Sequence, residues 1–266
     1  MVRRRLDAEL VRRRLAPSRQ QAQDLIREGN VLVGGLPATK PSRQVDGSEA
    51  VALRSAPEPF VSRAGRKLDA GLTRFGIDPT GLTGLDAGAS TGGFTDCLLQ
   101  RGAAHVHAVD VGHDQLAWSI RSDKRVTVYE HCNVRYLTPD DLGGAVGISV
   151  CDVSFISLTT VGPAIARCME PDASGVWLVK PQFEAGPARI GKGGIVSDPL
   201  VHCDVINEVT TGLGDLGITI VDIARSPLRG AKGNTEFLAH VRLDGDAQRV
   251  TPAQIASAVE DADMPG

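Results

Sequence analysis

The sequence predicts an α/β protein in which a mostly parallel seven-stranded sheet, its last strand antiparallel, follows a small basic α+β domain. Three observations predict it. From Leu68 onward, short apolar runs rich in β-formers alternate with helical stretches, the pattern of a parallel sheet covered on both faces. The last two runs are joined only by residues Arg225–Thr235, too few for a helical crossover, so they should lie antiparallel. Charge divides the chain as well. Residues 1–67 hold 14 Lys and Arg against 7 Asp and Glu, a balance of +7, whereas the remainder carries −10, for −3 overall.

The basic head comes first. From Arg3 to Leu15 the spacing of Leu6, Leu10, Val11 and Leu15 predicts a helix, with arginines around its apolar stripe. Pro17 ends it, and Ser18 caps a second helix over Arg19–Arg27 whose apolar face is Ala22, Leu25 and Ile26. Gly29 stops that helix, and Val31–Val33, a Gly34-Gly35 turn and a short return strand read as a hairpin. Residues Gln44–Phe60 read as an outer strand running into a linker. Domains are therefore expected at 1–58 and 65–266, with 59–64 between them.

In the second domain the expected strands are Leu82–Asp86, Ala104–Asp110, Val126–Glu130, Gly147–Asp152, Val176–Lys180, Thr219–Ala224 and Glu236–Arg242. Helices are expected at Gly93–Arg101, Gln115–Arg121, Leu158–Met169 and Leu200–Leu213.

Composition narrows the function. With 266 residues and 42 % hydrophobic content the chain can build a sizeable core, and no apolar run is long enough to cross a bilayer. No apolar leader core follows the basic Met1–Arg5, so a cytoplasmic protein is expected. Five scattered cysteines without a Cys-x-x-Cys pair argue against a disulfide framework and a structural zinc site, and no metal is expected. A basic head on an acidic body suggests that the head meets a polyanion, with Arg3, Arg4, Arg19 and Lys40 as candidate phosphate contacts.

The first sheet strand runs into Asp86-Ala-Gly88-Ala-Ser90-Thr91-Gly92-Gly93, and a helix follows at once. Glycines there let the backbone turn sharply and approach a ligand closely. Asp110 ends the next strand, where an acid typically binds a ribose diol. The dinucleotide fingerprint G-x-G-x-x-G is absent, and an Asp ahead of the loop suits the ammonium of S-adenosylmethionine better than a pyrophosphate. A second stretch, Gly186–Lys192, imitates a phosphate-binding loop, but Gly193 stands where Ser or Thr would hold Mg²⁺. It reads better as a mobile lid.

Taken together, Ser18–Ala22, Leu85–Thr95, Asp110–Gly112, Gln115–Trp118, Asp152–Leu158, Lys180–Glu184 and Gly233–Glu236 give the chain a resemblance, over nearly its whole length, to the TlyA family of ribosomal RNA 2′-O-methyltransferases. The head resembles a small RNA-binding domain found in a ribosomal small-subunit protein and in many pseudouridine synthases. The resemblance implies a Rossmann-like methyltransferase fold, S-adenosylmethionine as cofactor, and ribosomal RNA within a ribosomal subunit as partner, methylated on a cytidine 2′-hydroxyl. It implies a Lys-Asp-Lys-Glu tetrad at Lys67, Asp152, Lys180 and Glu236, and cofactor contacts at Ser90, Thr91, Phe94, Val111 and Asn133 beside Asp86, Gly88, Gly92, Gly93 and Asp110.

Asp152 and Lys180 fall at the C-terminal ends of adjacent central strands, where α/β sheets build their sites. Lys67 is expected just before the first helix of the sheet domain, and Glu236 at the start of the final strand. A ribose hydroxyl is a weak acid, so attack on a sulfonium methyl needs its proton removed or its oxygen held. Lys180 would act as base or orient the hydroxyl, Asp152 and Glu236 would hold the lysines, and Lys67 would stabilise charge on oxygen. Trp118 and Phe155 are expected to pack rather than to stack on bases.

Two departures from the family pattern occur at Pro57–Phe60, where relatives carry a tryptophan-containing turn, and at Arg63–Arg66. A non-catalytic RNA-binding or ribosome-assembly protein is the main alternative, and a haemolysin lacks support because no membrane span is visible. A monomer acting on RNA rather than DNA is expected.

Overall fold

The computed structural model describes residues 3–16, 18–27, 29–54, 58–243 and 247–261. Pro17 and Pro57, to which the sequence assigns a helix stop and part of the linker, lie outside the described residues. The chain divides into two compact units, Met1–Pro59 and Phe60–Gly266.

The first unit contains β1 (Arg4–Arg5), α1 (Leu6–Arg12), α2 (Arg19–Arg27), β2 (Val31–Val33), β3 (Leu36–Pro37), β4 (Gln44–Val45) and β5 (Val51–Leu53). Strand β1 pairs antiparallel with β4, and β2 lies antiparallel between β3 and β5. Leu6, Leu10, Ala22, Ile26, Val31 and Val45 close its core. The first helix is shorter than its periodicity predicts. Arg4 and Arg5 give their backbone to Val45 and Gln44 instead. At the other end Arg14 turns left-handed (φ 59°), Arg14 N–H donates to Val11 O and Leu15 N–H reaches back to Leu10 O, the paired bonds that terminate a helix.

Two acids anchor this unit. Asp7, fully buried, accepts from Arg5, Arg19 and Gln23, and Glu9 accepts from Arg12 and Arg13. The Arg5 guanidinium, with Arg19 and Gln23 adding to it, holds the Asp7 carboxyl well below the usual range. Arg12 foremost lowers Glu9 to about 2. Because folding depresses both values, the stability they give is complete above their unfolded values near 4 and is lost as pH falls through the folded ones. Methyl NMR signals of Leu10 and Ile26 should therefore lose their folded dispersion between about pH 4.5 and pH 2. Signals unchanged through pH 2 would contradict the anchoring role.

The second unit contains α3 (Ala64–Phe75), β6 (Thr83–Ala87), α4 (Gly93–Gln100), β7 (His105–Val109), α5 (Trp118–Arg121), β8 (Val126–Tyr129), β9 (Val146–Cys151), α6 (Leu158–Arg167), β10 (Met169–Val179), α7 (Pro181–Glu184), α8 (Pro199–Gly214), β11 (Thr219–Arg225), β12 (Phe237–Arg242) and α9 (Pro252–Glu260). The sheet order is β8-β7-β6-β9-β10-β12-β11. All pairs are parallel except those of β12, which runs against both neighbours, as the short connection before it requires.

Alternate residues of each strand feed opposite faces. Val176, Leu178 and Leu238 join Leu68, Leu72 and Leu98 of α3 and α4 on one side. Trp177, Val179 and Phe237 join Leu158, Ile165, Val205 and Leu213 of α6 and α8 on the other. Strand order reverses between β6 and β9, and a crevice outside the carboxyl ends of such strands is where open α/β sheets place ligands.

Local departures from the expected elements have visible causes. Helix α5 begins only at Trp118, because Ala117 N–H is drawn to Thr91 O and the Gln115 side chain approaches Ser90. Strand β10 starts early, at Met169, with an irregularity before Ser174. Lys67 lies inside the first turn of α3 rather than ahead of it, and Glu236 immediately precedes β12. The stretch after Gly186, expected as a mobile lid, is tethered at both ends. Arg189 grips Glu208 (2.8 and 2.7 Å), and Asn234 clamps Val196 N–H and Gly194 O (both 3.0 Å).

Candidate active site

The loop after β6 is shaped by Gly88 (φ +89°), where a Cβ would lie 2.8 Å from the Asp152 carbonyl oxygen. Only glycine lets this loop lie against the end of β9. Gly88 and Ala89 N–H both donate to Val109 O, fixing the loop to the end of β7. Asp110 then ties two loops together. Its Oδ2 accepts from Ser90 N–H (2.8 Å) and its Oδ1 from Gly112 N–H (2.7 Å). Each oxygen keeps a lone pair for a diol.

Two cavities open here. The larger, about 540 Å³, is walled by Gly88, Ser90, Asp110, Val111 and Asn133, with an apolar side made by Val134, Ile156 and Val161. The smaller, about 200 Å³, is walled by Thr91, Gly93, Phe94, Ser62 and Lys180. Gly88, Ser90, Asp152 and Ser154 belong to both walls. Asn133 uses its Oδ1 to accept from the Arg135 backbone and guanidinium (3.1 and 3.3 Å), so its Nδ2 is what it can offer a ligand. Ser62 reaches the cavity because Val61 N–H is held by Asp96 of α4 (2.7 Å).

Two of the expected cofactor residues line neither cavity. Gly92 caps α4 with a left-handed backbone. Asp86 is buried behind the loop, where Oδ2 accepts from the Thr95 hydroxyl (2.7 Å) and Oδ1 has no partner among the described residues. Its side chain is directed at α4 rather than at the crevice, so the expected contact with an ammonium is not built from it. Burial pushes its carboxyl up to about 7, Thr95 opposes that rise and the nearby Asp152 carboxylate adds to it.

The four expected catalytic residues meet as two pairs. Lys180 Nζ lies 2.5 Å from Asp152 Oδ1, and Lys67 Nζ lies 2.5 Å from Glu236 Oε2. All four side chains are at least five-sixths covered. Taking such charges out of water is costly, and each pair offsets the cost only while both partners remain. Lys180 and Asp152 are on the smaller cavity, whereas Lys67 and Glu236 are on neither wall.

Three residues with no expected role complete the arrangement. Ser154 Oγ accepts from Lys180 (3.2 Å). Gln182 Nε2 reaches Glu236 Oε1 (3.5 Å), linking the turn that carries Lys180 to the second pair. At Gly230 a Cβ would run into the Glu236 carboxylate, so the absence of a side chain there makes room for it.

Two aromatic side chains are outside rather than packed. Phe155 is 90 % exposed and Trp118 78 % exposed. Phe155 is turned outward by a left-handed backbone (φ 63°), with its ring 4.9 Å from that of Phe183. The Lys180 ammonium sits 5.9 Å from the Phe183 ring centre.

In the first unit Arg3, Arg4 and Lys40 are exposed. Arg19 is more than half exposed but donates to Asp7 (3.1 Å), so part of its charge is already answered. Arg5, Arg12, Arg13 and Arg27 are likewise paired with acids.

Residues 60–243 match the family model of FtsJ-like methyltransferases, and residues 4–51 match that of the S4 domain. The 16S/23S rRNA (cytidine-2′-O)-methyltransferase TlyA of Mycobacterium tuberculosis is 49 % identical over 259 residues, covering 97 % of this chain and 95 % of that protein. Hemolysin A of Brachyspira hyodysenteriae is 39 % identical, over 89 % of this chain and 98 % of that one. A solved structure from Streptococcus thermophilus, named provisionally as a hemolysin, superposes with a TM-score of 0.77 at 38 % identity. It covers 97 % of this chain and 95 % of its own.

Proposed function

The chain belongs to the FtsJ-like methyltransferase family, and on that footing we propose that it methylates a cytidine 2′-hydroxyl of ribosomal RNA, within ribosomal subunits, from S-adenosylmethionine. The observation that carries this reading is Lys180, held by Asp152 and Ser154 on a wall shared with the glycine loop. A small-molecule methyltransferase would have the loop but no use for an S4 domain.

The residues present fit the cofactor. Asp110 offers two carboxylate oxygens to a ribose diol, Asn133 Nδ2 and the Val134–Ile156–Val161 side suit an adenine, and Ser90, Thr91 and Gly93 of the loop border the smaller cavity. When bound, S-adenosylmethionine supplies an electrophilic methyl on a sulfonium.

Everything else falls to the chain. Lys180 Nζ receives or holds the proton of the attacking hydroxyl, and Asp152 fixes Nζ in place. Lys67, paired with Glu236, whose other oxygen Gln182 reaches, adds positive potential from outside the cavity walls against charge that develops on oxygen. Phe155 presents an exposed ring, next to that of Phe183, on which an unstacked base can lie. The first unit holds RNA through Arg3, Arg4, Lys40 and the free part of Arg19. No helix among the described residues is long and apolar enough to cross a membrane. A protein that works on ribosomal subunits would act in the cytoplasm.

The test is transfer of labelled methyl from S-adenosylmethionine to purified small and large subunits, followed by mapping of the modified nucleotide. Label on a cytidine ribose is the expected result. Cofactor and subunit binding without transfer would favour a non-catalytic assembly factor, and label on a base would overturn the 2′-hydroxyl assignment.

A further inference from the structure

The amine of Lys180 has three directions besides its bond to Cε, and hydrogen bonds among the described residues account for two, with the Phe183 ring centre 5.9 Å away. One is filled by Asp152 Oδ1 at 2.5 Å and another by Ser154 Oγ at 3.2 Å. Both acceptors stand on the segment after β9, whereas Lys180 stands at the end of the neighbouring β10. Lys180 is nine-tenths covered, yet it reaches the wall of the smaller cavity. Its third direction is therefore the one left for a ligand there.

We propose that Ser154 is a positioning residue for methyl transfer: by taking the second acceptor place on Lys180 Nζ, it aims the third direction at the ribose 2′-hydroxyl. Asp152 alone would fix one N–H and leave the amine free to rotate about it. With Ser154 in place, a neutral amine donates both of its N–H bonds to these acceptors, and its lone pair points to the cavity. The hydroxyl proton can then pass to Nζ while the oxygen's electron pair goes to the new O–C bond, and the C–S electron pair stays on sulfur. The ammonium that results keeps the same two acceptors, so no rearrangement accompanies the proton. Charged from the start, the same geometry would place an N–H on the hydroxyl oxygen and orient it.

This role rests on the methyltransferase reading above, and Ser154 also borders both cavities, so a simple part in the cofactor wall is the competing explanation. Full-length Ser154→Ala and Ser154→Thr separate the two. Each is compared with the unsubstituted protein for kcat and KM on ribosomal subunits, and for S-adenosylmethionine affinity by calorimetry. Ser154→Ala should lower kcat roughly 10- to 100-fold, the worth of one hydrogen bond to a charged group. KM and cofactor Kd should stay within about twofold, because neither is set by the rotation of Nζ. Ser154→Thr restores a hydroxyl and should recover most of kcat.

An unchanged kcat in Ser154→Ala overturns the proposal. So does a rise in cofactor Kd that accounts for the loss, or an equal fall in the Ala and Thr variants. Absence of transfer by the unsubstituted protein would instead overturn the reading of the reaction, and this role with it.

Discussion

Lys180→Ala is expected to abolish methyl transfer to RNA while leaving the protein folded and able to bind S-adenosylmethionine. The side chain is the point where three requirements meet. It touches the cavity, it is held by Asp152 and Ser154, and its side chain is nine-tenths covered. Truncation removes both the proton acceptor and the donor that would orient the hydroxyl. General acid–base and electrostatic contributions of this kind are each worth about 10²–10⁴ in rate, so single-turnover transfer should fall by roughly 10³–10⁴. That corresponds to about 4–5.5 kcal/mol of transition-state stabilisation.

Asp152 is left without its cation near Asp86, whose carboxyl is already raised by burial and by Asp152 itself. Some loss of stability should follow, because an unpaired buried charge is costly. Lys180→Met keeps the volume without the charge and checks that the loss is chemical. Cofactor affinity and the thermal transition serve as controls. Wild-type transfer by a folded Lys180→Ala protein would remove Lys180 from the reaction.

How much of this was legible in the sequence depended on how far each contact reaches along the chain. The strands of the sheet announced themselves because burial on both faces leaves short apolar runs, and β12 declared its direction through the length of the connection before it. Asp152 and Lys180 could be placed because strand ends are where such sheets open. Lys67 and Glu236 were not visible that way, since 169 residues separate them and only the family resemblance joined them. Ser154 and Gln182 act across 26 and 54 residues through single hydrogen bonds that no periodicity encodes.

Gly230 looks like any loop glycine until the Glu236 carboxylate is seen beside it. The first helix was overextended for a related reason. Leucine spacing reports a helical stripe, but not that Arg4 and Arg5 have partners forty residues later at Gln44 and Val45. Phe155 and Trp118 were expected inside because aromatic rings usually bury, and for Phe155 the left-handed backbone that turns it outward is set by the fold. Charge counting could not tell Arg3 and Lys40, which are exposed, from Arg13, which is answered by Glu9.

Asp110→Asn should weaken S-adenosylmethionine binding by roughly 100-fold, although it changes one atom and no shape. The carboxylate accepts from two backbone donors that belong to different loops, Ser90 N–H on Oδ2 and Gly112 N–H on Oδ1. An Asn can satisfy only one of them. Its NH₂ group must face the other N–H, donor against donor, and leaving one such group unsatisfied costs about 1–3 kcal/mol. Relief comes from separating the loops, which moves Ser90 away from the wall it contributes to both cavities. The same change removes one of the two acceptors offered to a ribose diol and the charge that strengthens both bonds.

Since about 1.4 kcal/mol is a factor of ten in Kd, the loop and the diol together account for about two orders of magnitude. Isothermal calorimetry with S-adenosylmethionine and with S-adenosylhomocysteine should show the same loss, because neither effect involves the methyl group. Single-turnover transfer at saturating cofactor should then recover to within a few-fold of wild type, which separates Asp110 from Lys180. An unchanged affinity would mean that the ribose is held elsewhere and that the junction of the two loops does not set cofactor binding.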